Sequence, residues 1–267
     1  MSYWFSAPLI EHNPHMVLIA LGGVHVLSAL ILRSFGARPM SHGEAGAAED
    51  DRHTDPARYR SLLKTFRVLL PMSYIVSSAL GPYLPEAMVR LGLAAHWAMP
   101  AASAWLVARV FTFATLERWH GWHGRWETPV VGVLLLLAGF GLAVLAPEVL
   151  GGTTALVGVI VGLLCFGTGM ATIYCGSLYY ALALGNAEVE AGGTHEALIG
   201  LGYTIGPMCG YGATLVVSAG WLAPKNFEGA MLGVVATIAL GVSALAWKRG
   251  RAARIQGGAN AKPEGSQ

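Results

Sequence analysis

The chain has 267 residues, of which 54% are hydrophobic and only 12% charged, against roughly 25% charged in soluble domains. That balance excludes an ordinary soluble domain and points to an all-α integral membrane protein. A formal net charge of +2 says little by itself, and the basic stretch KRGRAAR reads as a topology anchor rather than a nucleic-acid site.

Uncharged runs bounded by charges or turn residues predict seven spans, near 15–33, 62–84, 91–116, 129–147, 152–182, 196–222 and 228–247. The opening stretch MSYWFSAPLIEHNPH lacks a basic n-region and a small-residue cleavage site, so the first span, within an N-terminal segment 1–34, is expected to be retained. His25 lies deep in it and reads as a hydrogen-bonded packing residue. Residues 35–60 are rich in Gly, Ala, Glu, Asp and His without a helical period, which predicts a mobile cytoplasmic linker. A six-helix bundle is expected over 61–248, followed by a disordered basic tail over 249–267.

The second span carries a weakly polar patch of Ser73, Tyr74, Ser77 and Ser78. In the third, Arg109 stands eight residues before Glu117, about 12 Å below the cytoplasmic end at 1.5 Å per residue. Placing an arginine at a helix centre costs roughly 2.5–3.5 kcal/mol on insertion scales, so Arg109 is expected to face a cavity or a carboxylate. It is either a structural, snorkelling arginine or a substrate-binding charge. In the loop that follows, His120 and His123 lie three apart in WHGWHGRW. They have no carboxylate or thiolate partners nearby, which argues against a metal or haem site.

No formal charge occurs over the 39 residues 149–187, long enough for two short crossings. Charge parity favours one long or tilted helix. Thr168, Thr172, Cys175 and Tyr179 recur there at steps of four, three and four, a continuous stripe for interhelical hydrogen bonding or for a substrate-facing wall. The sixth span is announced by Thr194, an N-cap type residue, with Glu196 expected in the first helical turn and His195 between them. Capping is one role for Glu196. An ion pair with Arg109 or Arg118 that latches two helix ends, with His195 and Glu196 exchanging protons, is the other. The next 28 residues, 197–224, carry no formal charge. Gly202, Gly206 and Gly210 recur every four residues on one face, while Pro207 removes a backbone hydrogen bond and permits a kink.

Basic residues mark the cytoplasmic side of short loops. Arg33, Arg38, Arg52, Arg58, Arg60, Lys64 and Arg67 follow the first span, Arg118 and Arg125 the third, and five more lie from Lys248 onward. The opposite face has only Arg90 and Lys225. The expected topology is N-terminus out and C-terminus cytoplasmic, in a plasma or bacterial inner membrane. Trp4, Trp119, Trp122, Trp126, Trp221 and Trp247 read as interfacial anchors. Cys165, Cys175 and Cys209 lie in spans without ligand spacing and read as packing residues.

One span, a polar linker and six closely connected spans resemble the last helix of the first half and the whole second half of a major facilitator superfamily transporter. Gly202, Gly206, Pro207 and Gly210 spell G-x3-G-P-x2-G, similar to the glycine-proline motif of that superfamily's antiporters. Glu117, Arg118, Gly124 and Arg125 resemble a degenerate D-R-x-G-R loop motif, with five residues separating its halves instead of one. The first five helices of the family fold have no counterpart here. The resemblance implies that the second and fifth spans line a central cavity.

A small-solute transporter is expected on this basis, working as a homodimer or with a separate first half, because one six-helix half does not enclose a path alone. Arg109, Tyr74, Ser77, Thr172 and Tyr179 are the expected substrate contacts, and His195, Glu196, Arg118, Gly206 and Pro207 the expected coupling or gating residues. No cofactor, metal, nucleic acid or enzymatic activity is expected. The alternative is a non-transporting scaffold subunit of a larger membrane complex, favoured by the absence of Asp and Glu from mid-span positions. A third reading takes the chain as a piece of a broken gene.

Overall fold

In the computed structural model, residues 55–184, 188–221 and 227–260 are described, together with isolated positions between 19 and 30. The expected first span and most of the 35–60 linker lie outside them. The described residues form helices joined by short turns, without strands: α1 (Pro56–Arg90), α2 (Ala95–Ala102), α3 (Ala104–Arg118), α4 (Glu127–Val149), α5 (Gly152–Ala183), α6 (Glu188–Ser218) and α7 (Phe227–Asn260).

Stretches His96–Arg118, Glu127–Val149 and Gly152–Ala183 are each long and apolar enough to cross a membrane. Helix α1 makes a fourth when taken across the 43° bend between Pro56–Gly81 and Tyr83–Arg90. It starts cleanly because Asp55 caps it, its carboxylate accepting from the Ala57 N–H at 2.9 Å, and Pro56 takes the first position, where no donor is lost. The expected third span is broken at Ser103, just after Pro100, whose ring removes one helical hydrogen bond. By contrast, the long uncharged run is one unbroken 32-residue helix, α5, as charge parity suggests.

Two boundaries differ from expectation. Thr194 is no N-cap: α6 already includes Glu188 and runs through Gly192 and Gly193, so Glu196 sits inside the helix. Two glycines inside a helix cost only about 1 kcal/mol each. Helix α7 continues to Asn260, past position 248, because Lys248, Arg249, Arg251, Ala252, Ala253 and Arg254 are good helix formers.

Helices α1 and α5 pack together at the centre, with α3 and α4 against α5, and α6 and α7 against α1. Glycines on α5 set how closely its neighbours approach. A Cβ on Gly162 would stand 2.7 Å from the Ala143 amide nitrogen of α4. One on Gly169 would meet the Leu136 amide nitrogen and stand 2.5 Å from the Gly132 carbonyl. A Cβ on Gly167 would collide with the Trp105 carbonyl of α3, and one on Gly176 would stand 2.5 Å from the Phe66 ring of α1. Small residues at these contacts let neighbouring helix backbones approach closely. Large apolar side chains remain exposed around the outside, among them Phe111 at 69%, Leu134 at 61% and Met208 at 64%.

Candidate functional site

Arg109 projects from α3 across the front of α5. Its Nη2 donates to the Tyr74 hydroxyl of α1 at 3.0 Å. Its guanidinium carbon lies 4.9 Å from the centroid of Tyr174 on α5, 5.2 Å from Phe113 and 5.9 Å from Tyr74. Each ring presents negative quadrupole density to the cation, a contact that strengthens with desolvation to about 2 kcal/mol. The charge is thus held by three rings and one hydroxyl, not by the carboxylate of Glu196, which is exposed on α6. The Nε of Arg109 is buried and has no hydrogen-bond partner among the described residues.

His195 supplies the fourth side. It comes from α6, is only 4% exposed, and meets the same Tyr174 ring edge-on at 4.4 Å between centroids. Neither ring nitrogen has a hydrogen-bond partner among the described residues. Buried polar atoms are normally satisfied, so two adjacent unpartnered groups, the Arg109 Nε and the His195 imidazole, set this junction apart. Tyr203 on α6 closes it from outside, half exposed and T-shaped against Tyr74 at 5.0 Å.

The glycine motif holds this geometry. A Cβ on Gly202 would stand 2.5 Å from the Tyr74 Cβ and 2.6 Å from the Pro71 carbonyl, and one on Gly206 would collide with the Ser78 Cβ. The glycine face of α6 therefore lies directly on the polar patch of α1. Within that patch Ser73 donates to the Leu70 carbonyl at 2.7 Å and Ser78 to the Tyr74 carbonyl at 2.8 Å, while Ser77 is buried. These hydroxyls serve their own helix.

The expected α5 stripe divides. Thr172 donates to the Thr168 carbonyl at 2.9 Å and turns toward Gly132 of α4. Thr168 and Thr172 line a separate cleft of about 580 Å³ between α3, α4 and α5, together with Thr112, Thr115 and Leu164. Tyr179 joins a third group, at the end of α5. There it stacks on His123 at 4.0 Å and meets Trp122 at 5.0 Å, while the Tyr180 hydroxyl accepts from the Gly124 N–H at 2.8 Å. Gly124 has a φ of +66°, a conformation glycine adopts without strain.

Of the expected substrate contacts, then, Arg109 and Tyr74 come together while Thr172 and Tyr179 lie elsewhere. Among the gating residues, His195 joins the Arg109 junction, Gly206 packs on α1, and Arg118 and Glu196 are exposed. Pro207 lies inside α6. Trp122 is no interfacial anchor: it is 5% exposed, and its indole N–H donates to the Leu116 carbonyl at 3.0 Å. Tyr174, Phe113 and Tyr203 were not legible as site residues, although Phe113 is four residues from Arg109 and so on its helical face. Among the described residues no group of three or more His, Cys, Asp or Glu converges to hold a metal, and all three cysteines are free thiols. Comparison with protein-family models, curated proteins and solved structures finds no match to this chain.

Proposed function

We propose that this chain is a membrane-embedded half-transporter of the major facilitator type, carrying a small solute together with a partner half or a second copy of itself. The observation that supports this reading is Arg109: a full charge inside an apolar span, held by rings and a hydroxyl, its Nε without a partner among the described residues. A charge at that depth is costly, and it faces a solute path more readily than lipid. Apolar side chains exposed around the bundle suit a lipid surround, and the distribution of basic residues supports a cytoplasmic C-terminus. In this reading the open side of the α1, α3, α5 and α6 junction faces the partner half, and the two halves rock about it.

The scaffold reading has one observation in its favour: most hydroxyls near the candidate path bond to their own backbone, leaving few donors for a solute. Gentle extraction from the native membrane, followed by determination of the particle's mass and subunit composition, separates the two. A homodimer, or a second chain supplying the remaining helices, supports the half-transporter. Recovery only within an assembly of unrelated subunits replaces it with the scaffold. Within the transporter reading, Arg109→Ala abolishes transport and Arg109→Lys partly preserves it; unchanged transport in the alanine variant removes Arg109 from the mechanism.

A further inference from the structure

The Arg109 junction has a composition that selects its ligand. Its cationic capacity is a single guanidinium, which already gives one Nη2 proton to Tyr74 and offers Nε–H. Beside it stands a 4%-exposed imidazole with both nitrogens unpartnered among the described residues, and an imidazole donates at least one N–H in either protonation state. Both groups contact Tyr174, so donors from α3 and α6 converge on one ring of α5. The remaining surfaces are aromatic: Phe113, Tyr174, Tyr74 and the half-exposed Tyr203.

We infer that this junction binds a singly charged oxyanion carried on an apolar body, with Arg109 and His195 donating to the oxyanion and the aromatic rings packing on the body. One guanidinium balances one negative charge. A free inorganic phosphate, roughly half dianionic at neutral pH and fully hydrated, would have to shed its water and gain nothing from the rings. A cation is opposed by Arg109 itself. Two sources carry the required chemistry: the carboxylate of a small soluble acid, and the phosphodiester of an anionic lipid whose acyl chains lie along the bundle. The inference rests on the membrane reading above for its setting, but its test is binding and does not require transport.

The full chain, with any partner that co-purifies, is placed in phosphatidylcholine nanodiscs, and binding of radiolabelled benzoate is measured by equilibrium dialysis, with inorganic phosphate as competitor. Retention of phosphatidylglycerol through purification is measured in parallel by lipid mass spectrometry. Saturable benzoate binding that phosphate does not displace, weakened tenfold or more by Arg109→Ala and severalfold by His195→Ala, establishes the site for a soluble acid. Stoichiometric phosphatidylglycerol lost in Arg109→Ala, without benzoate binding, establishes it for a lipid. Monodisperse wild-type protein that takes up neither probe overturns the inference, as does an Arg109→Ala variant indistinguishable from wild type. Should Arg109→Ala fail to purify, Arg109→Lys and His195→Ala carry the comparison, and wild-type affinity in both overturns it. Binding without benzoate uptake into vesicles counts against the transporter reading and leaves the site standing. Uptake that ignores Arg109 does the reverse.

Discussion

Gly202 of α6 lies directly against Tyr74 of α1: a Cβ at Gly202 would stand only 2.5 Å from the Tyr74 Cβ. Because the Tyr74 hydroxyl accepts from Arg109, the glycine motif and the half-buried arginine belong to one mechanical unit. A glycine on one helix sets where the arginine of another can be held.

Enlarging Gly202 separates these helices. Gly202→Val is expected to destabilise the purified protein by about 1–3 kcal/mol, the usual cost of overpacking, and to displace Tyr74 from Arg109. Gly200→Ala is the matched control, since nothing lies within 4 Å of a Cβ there. Thermal unfolding in detergent checks this; equal melting temperatures for the two variants would refute the contact.

The same logic applies to the glycines of α5. Gly169→Ala brings a Cβ onto the α4 backbone at Leu136 and Gly132, and Gly167→Ala onto the Trp105 carbonyl, whereas Gly141→Ala on α4 meets nothing within 4 Å. Backbone does not yield as a flexible side chain does. The two α5 variants should therefore lose about 1–3 kcal/mol or more, and Gly141→Ala should be neutral or slightly stabilising through helix propensity. Chemical or thermal denaturation of the three proteins side by side tests that order.

At the end of α5, the Tyr180 hydroxyl is the acceptor for the Gly124 N–H. Tyr180→Phe leaves that donor without its partner, at a cost of about 1–3 kcal/mol. Hydrogen exchange at the Gly124 amide should accelerate while exchange in the middle of α5 stays unchanged. Gly124→Ala should loosen the same loop by a different route, because its φ of +66° is unfavourable with a side chain and the added Cβ approaches the Tyr59 ring at 3.3 Å. Slow exchange at position 124 in the Tyr180→Phe variant would show that this hydrogen bond does not order the loop.

Charge distribution predicts sidedness. A reporter active only in the cytoplasm should function when fused after Lys248 or inserted beside Arg125, and fail when inserted near Lys225. The opposite pattern would invert the topology and place the exposed Arg118 and Arg125 on the outer face.

Composition and charge spacing alone made the helical character legible, because a long apolar run of about twenty residues satisfies its backbone within itself as a helix. The continuity of α5 followed from charge parity, and the helix-packing role of Gly202 and Gly206 from their four-residue spacing, which one helix face dictates whatever its neighbour. Arg109 stood out because an isolated charge in an apolar run is conspicuous by itself. Its surroundings were legible only in part: His195 was expected as a coupling residue through its neighbour Glu196, but Tyr174 was not, and only the packing of α3 and α6 against α5 and α1 brings both to Arg109. The same dependence on neighbours explains why Thr172 and Tyr179, on one stripe with Cys175 by periodicity, part company. A long helix has different neighbours along its length, so a shared face is not a shared site. The extension of α6 ahead of Thr194 went unseen because a capping residue is a local preference of only about 1 kcal/mol.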